Sequence, residues 1–160
     1  MAIVGYMGSG KTTLGRLLAS ATGLEFVDLD WAITSKAGRE IPEIFAEYGE
    51  DRFRDLEQEA LREALEGGGP LIVACGGGVV TRRENRALLQ GVTTIFLRED
   101  VDVLYGRTRG PGRPLRAASR EEFEARYAER LPLYREVADM EVEIDGRSPS
   151  RVVEEVLGCL

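Results

Sequence analysis

The 160-residue chain contains no histidine. A general base must therefore be a carboxylate, a lysine or a bound water. Lysine is scarce too: Lys11 and Lys36 are the only two, and every other basic side chain is arginine, which suits bidentate capture of carboxylate or phosphate. No apolar run reaches the length of a membrane-spanning helix. No basic segment followed by an apolar one opens the chain, so a secretion signal is not expected. Cys75 and Cys159 lie far apart and fit no CxxC pattern, which points to reduced thiols in a cytoplasmic protein. Positive charge is in deficit as well. The net charge of −7 argues against a nucleic-acid partner held by a basic surface.

What is present describes a folded α/β protein. Hydrophobic residues make up 43% and charged residues 31% of the chain, a globular balance. The length suits one domain with a single core. Gly5-Tyr6-Met7-Gly8-Ser9-Gly10-Lys11-Thr12-Thr13 satisfies the phosphate-loop pattern G-x-x-x-x-G-K-[ST]. Glycines there let successive N–H groups turn toward phosphate oxygens, and the following helix points its positive end the same way. The context agrees: the apolar run Ala2-Ile3-Val4 precedes the loop, and Leu14, Leu17, Leu18 and Ala21 follow at helical spacing. Gly8, Ser9, Gly10, Lys11, Thr12 and Thr13 are thus candidate nucleotide-binding residues. Lys11 is placed to reach the β and γ phosphates, and the Thr12 hydroxyl to ligate Mg²⁺.

Residues 25–30 read as a second strand ending in two acids, Asp28 and Asp30, on one side of an extended chain. Ligands of an open parallel sheet sit beyond the carboxyl ends of its strands, so both acids are site candidates. The alternative for Asp30 is a cap on a helix over 31–37. Further helices are expected around Ile41, Pro42, Ile44 and Phe45, with a break at Gly49, then over 50–65 with Arg54 near its start. An anionic ligand would explain that arginine; an exposed pair with Asp51, Asp55 or Glu57 is the plainer account. The apolar strand 71–75 runs into Gly76-Gly77-Gly78, which permits close backbone approach to a ligand. Later elements are a helix over 84–90, a strand over 93–97, a helix over 101–107 and a helix over 121–134 bent at Pro132. A strand over 140–144 and a helix opened by Ser148-Pro149 complete the chain. Residues 108–119 carry two glycines, two prolines and three arginines and read as a mobile arginine-bearing lid; a solvated surface loop is the alternative.

Taken in order, GYMGSGKTT, Asp28-Leu29-Asp30, Phe53-Arg54, Gly76-Gly77-Gly78, Arg113-Pro114-Leu115 and Arg130-Leu131-Pro132-Leu133-Tyr134 resemble the shikimate kinase family across essentially the whole chain. The resemblance implies a P-loop kinase of nucleoside-monophosphate-kinase type, with a five-stranded parallel sheet flanked by helices. It implies one domain over 1–160, with a lid near 108–119 and shikimate-binding helices near 30–65. It implies transfer of the ATP γ-phosphoryl group to the 3-hydroxyl of shikimate by a cytoplasmic monomer that uses Mg²⁺ and binds neither membrane nor nucleic acid. By resemblance, Asp30 holds the ring hydroxyls and accepts the proton, and Arg54 and Arg130 hold the carboxylate. Gly76, Gly77 and Gly78 supply backbone donors, Arg113 is the lid arginine, and Thr12 and Asp28 form the magnesium side. Arg107 lies against adenine, with either Arg147 or Arg151 opposite. Competing readings are another small-molecule kinase, such as a gluconate kinase, and a non-catalytic ligand sensor of the same fold.

Overall fold

The protein is described by a computed structural model covering residues 1–108 and 119–159. The strands are Ala2–Val4 (β1), Glu25–Asp28 (β2), Leu71–Ala74 (β3), Thr94–Arg98 (β4) and Met140–Glu143 (β5). They form one five-stranded sheet in the order β2-β3-β1-β4-β5, and every neighbouring pair is parallel. Parallel neighbours need crossovers, and helices supply them. These are Lys11–Thr22 (α1), Leu29–Ala37 (α2), Ile41–Glu66 (α3), Arg83–Leu89 (α4), Val101–Arg107 (α5), Arg120–Val137 (α6) and Pro149–Cys159 (α7).

Side-chain alternation along the strands divides the core between the two faces of the sheet. Ala2, Val4, Val73 and Phe96 join one cluster with Leu29, Phe53, Phe123 and Tyr134. Ile3, Ile72, Ile95 and Leu97 join the other with Leu14, Leu18 and Val156. On the first face Phe96 stacks on Tyr134, and the Tyr6 ring meets the edge of Phe123 at a centroid distance of 4.8 Å. On the second face Gly15 lets α1 press onto the sheet, since a Cβ there would lie 2.4 Å from the Phe26 ring.

Local details differ from the sequence-based expectations or add to them. The second strand stops at Asp28 instead of Asp30. The Asp28 carboxylate accepts the N–H groups of Asp30 (3.1 Å) and Trp31 (3.3 Å), so α2 starts at Leu29 and Asp30 sits in its first turn. Asp28, not Asp30, is the cap, and the two acids do not share one face of a strand. The segment after the triple glycine forms a short 3₁₀ helix, Val79–Thr81. α6 continues through Pro132 to Val137. The expected break at Gly49 is present: φ 78° and ψ 177° interrupt α3 there, a conformation that glycine reaches at low cost. Most of the expected lid, residues 109–118 with Arg113, lies outside the described residues.

Phe96 is fully buried on β4, between β1 and β5. Phe96→Ala is expected to destabilise the fold by about 3–5 kcal/mol through lost burial and a residual cavity, measured by urea unfolding; a loss under about 1 kcal/mol contradicts the packing described.

Candidate active site

A cavity of about 920 Å³ opens at the carboxyl ends of the strands. Its first wall is the phosphate loop. Gly5 leaves β1 with φ +150°, and a Cβ there would lie 2.7 Å from the Leu97 carbonyl oxygen. Gly10 takes φ +91° and caps α1 in the left-handed region. No side chain caps α1 and no acid belongs to its first turn, so its free N–H groups are offered to the cavity without a counter-charge from the helix itself. Lys11 is held on the loop itself: Nζ donates to the carbonyls of Gly5 (2.8 Å) and Tyr6 (2.9 Å).

Asp28 joins this wall to the next. Its Oδ2 accepts the Thr12 hydroxyl at 2.7 Å, while Oδ1 caps α2. One carboxylate thus pins the first turn of α1 to the first turn of α2, and Asp30 is delivered beside the loop. The Asp30 carboxylate opens to the cavity but is ringed by protein. Desolvation raises its pKa above the ordinary aspartate value, and Asp28 adds to the rise, while Lys11 and Arg54 oppose it.

The far wall is a buried ion pair packed against bare backbone. Arg54 is buried, and its guanidinium donates to Glu57 at 2.6 Å and Glu50 at 3.1 Å. Burial works against the Arg54 charge, but the two carboxylates outweigh it and its pKa is raised. Glu57 is almost wholly buried, and desolvation pushes its carboxyl upward against the pull of Arg54. The triple glycine fits because nothing larger would. A Cβ on Gly76 would lie 2.6 Å from Glu57 Oε1, and one on Gly78 would lie 2.3 Å from the Arg54 guanidinium. Arg130 reaches the same place from α6, donating to the Gly77 carbonyl at 3.2 Å and lying over the Tyr6 ring. Tyr134 donates to that carbonyl as well.

At the other end Arg107 is anchored by Glu99, a buried acid just after β4, at 3.1 Å, and donates to the Gly8 carbonyl at 3.3 Å. Arg147 lines the cavity with Ile144, Pro149 and Val152; Arg151 is exposed and is not among the described lining residues.

Apart from Arg151, every candidate residue in the described segments, from Gly8 to Thr13 and including Asp28, Asp30, Arg54, Gly76, Gly77, Gly78, Arg107, Arg130 and Arg147, lines this one cavity. Arg113 lies outside the described residues. Arg54 is neither unpaired nor a surface residue: it has Glu57 as a partner, but inside the protein. Sequence reasoning missed Glu57 and Glu99 as supports. Glu99 had a signal, an acid directly after an apolar strand, like Asp28. Glu57 had only its spacing from Arg54, which surface pairs share.

A family model described as Shikimate kinase matches residues 7–160. The chain is 42% identical to a shikimate kinase of Rhodococcus jostii (strain RHA1), with 99% of this chain and 95% of that protein covered. It is 45% identical to a shikimate kinase of Pseudomonas putida, with coverage of 97% and 92%. Its structure is similar to that of a shikimate kinase from Acinetobacter baumannii solved in complex with shikimate: TM-score 0.92, 36% identity, 99% and 90% covered.

Removing one partner of a buried ion pair leaves an uncompensated charge. Glu57→Ala is therefore expected to cost about 3–5 kcal/mol in urea unfolding. Glu50→Ala, whose carboxylate side chain is 62% exposed, is expected to cost under about 1 kcal/mol. Equal costs contradict the picture of Glu57 as the buried counter-ion.

Proposed function

The chain belongs to the shikimate kinase family, and from that premise we propose that its cavity carries the γ-phosphoryl group of ATP to the 3-hydroxyl of shikimate, releasing shikimate 3-phosphate and ADP. One observation carries this reading: a single cavity joins a phosphate loop to a pair of arginines, with Asp30 between them. Shikimate is a small ring with a carboxylate at one end and hydroxyls at the other. Arg54 and Arg130 supply bidentate cations for the carboxylate, and each charge-assisted contact is worth about 1.5–3 kcal/mol. Gly76, Gly77 and Gly78 leave room for the ring to approach the backbone. The acceptor hydroxyl then faces Asp30, which orients it and takes its proton.

Phosphoryl transfer needs little covalent help from a protein; alignment and charge stabilisation dominate. The loop from Gly8 to Thr13 binds the phosphates, and Lys11 exchanges its loop carbonyls for β and γ oxygens. Arg113 adds positive charge at the transferring group. Arg107, steadied by Glu99, and Arg147 hold adenine from opposite sides; its place in the cavity lining favours Arg147 over Arg151.

The described residues contain no group of three His, Cys, Asp or Glu side chains able to hold a metal by themselves. Thr12 and Asp28 nevertheless present two hard oxygen donors 2.7 Å apart beside the phosphate loop. That pair fits Mg²⁺, which takes few protein ligands and keeps water and phosphate oxygens. Bound with ATP, Mg²⁺ would neutralise phosphate charge. We take the whole chain to act as one unit, since its one cavity draws on elements from the phosphate loop after β1 to the start of α7, and as a monomer. Use of ATP supports a cytoplasmic setting.

The gluconate-kinase and sensor readings are not favoured. The carboxylate clamp and triple glycine suit a cyclic acid, the similar proteins carry the shikimate kinase name, and Lys11, Thr12, Asp28 and Asp30 are assembled in one site. A coupled ADP-release assay with Mg-ATP tests the reading: release that requires shikimate is expected, and release driven by gluconate alone overturns it.

Arg54→Ala and Arg130→Ala are each expected to weaken shikimate binding at least about tenfold, a loss of roughly 1.4 kcal/mol, with ATP binding little changed. Isothermal titration checks this, and unaltered shikimate affinity removes that arginine from the clamp. Asp30→Asn is expected to lower kcat by about 10²-fold, the lower end for general-base catalysis. A raised Asp30 pKa means protonation sets in sooner as pH falls. The acid limb of kcat/KM for the parent is therefore expected above the ordinary aspartate value of about 3.9. That limb vanishes in Asp30→Asn, and its persistence assigns it to another group.

A further inference from the structure

Trp31 is the only tryptophan of the chain, and 70% of it is exposed. No ring stacking or hydrogen bond of its indole is found among the described residues. Its backbone is fixed all the same. The N–H donates to Asp28 at 3.3 Å, and the carbonyl accepts the Thr34 hydroxyl at 3.0 Å. It directly follows Asp30, and it lines the acceptor end of the cavity with Ile41 and Pro42.

The rest of that end is Arg54, Glu57, Arg130 and the triple glycine, with the aliphatic edges of Ile41 and Pro42 and the buried ring of Phe53. Such a wall grips the polar rim of a ring acid but offers its C–H faces little exposed aromatic surface apart from Trp31. The indole is the large apolar surface beside Asp30, and it stands open to the cavity mouth. Leaving an aromatic in water forfeits the burial that normally keeps such side chains inside; covering it against a ligand recovers that burial only when the ligand is bound.

We propose that Trp31 closes over the bound acceptor, packs its indole on the C–H face of the ring, and so selects cyclic acids over open-chain polyol acids. The inference rests on the reading of this cavity as the shikimate kinase site. A planar side chain gains contact from a rigid ring at small entropic cost, whereas an open-chain acid must first be ordered. The indole acts on binding and not on the reacting atoms, so Trp31 is a specificity-determining residue and not a catalytic one.

The test combines the tryptophan emission of the parent with steady-state kinetics of Trp31→Ala and Trp31→Phe. Shikimate alone is expected to shift the emission of the parent saturably, a signal with one possible source. Trp31→Ala is expected to raise the shikimate KM about tenfold, with kcat and the ATP KM within about twofold. Trp31→Phe, which keeps an aromatic face, is expected within about threefold of the parent. A shikimate KM within about twofold of the parent in Trp31→Ala, or emission unmoved by saturating shikimate, overturns the proposal while leaving the kinase reading intact. A parent that fails to turn over shikimate overturns the kinase reading and this inference with it.

Discussion

The arrangement depends on the two oxygens of one side chain. Asp28 ends β2, takes the hydroxyl of Thr12 on one oxygen and caps α2 with the other. The first contact belongs to the phosphate-loop helix. The second fixes where the chain leaves the sheet, and hence where Asp30 and Trp31 point. Phosphoryl transfer is sensitive to alignment, and a misplacement of about 1 Å can cost 10²-fold. A short link between the donor side and the acceptor side is therefore worth more to the reaction than its own hydrogen-bond energy.

Crowding sets the opposite wall. Glu57 and Arg54 fill the space that side chains at 76 and 78 would occupy, so the glycines follow from the ion pair as much as from the ligand. The pair is expensive to bury. Glu57 Oε1 has no hydrogen-bond partner among the described residues. Read with the proposed clamp, that cost keeps one guanidinium charged and rigid where a carboxylate is to dock. Glu99 treats Arg107 similarly at the other end, using a buried acid to steady a cation beside the Gly8 carbonyl.

Features carried by adjacent residues were legible in the sequence. The phosphate loop announces itself through glycine spacing, a lysine and a hydroxyl. The parallel sheet shows in short apolar runs separated by helical periodicity, and the break at Gly49 shows because glycine alone reaches that conformation at low cost. What failed was the reading of 25–30. Alternation along a strand holds only while the strand lasts, and the Asp28 cap ends it two residues early by satisfying the first N–H groups of a helix. The depth of Arg54 and Glu57 was illegible for another reason: spacing along a helix says that two residues are neighbours, but burial depends on the triple glycine after β3 and on Arg130 of α6, far away in sequence. Only the assembled fold brings Arg130 and Arg147 to opposite ends of one cavity.

The most direct test of the link through Asp28 is to titrate Asp28→Ala with shikimate and with Mg-ATP separately. Losing the cap costs only about 1 kcal/mol, so the fold is expected to persist. If Asp28 sets both sides of the site, both affinities fall, shikimate included, although Asp28 is not among the residues assigned to hold it. Weaker Mg-ATP binding with shikimate affinity unchanged would contradict the account and reduce Asp28 to a residue of the phosphate side alone.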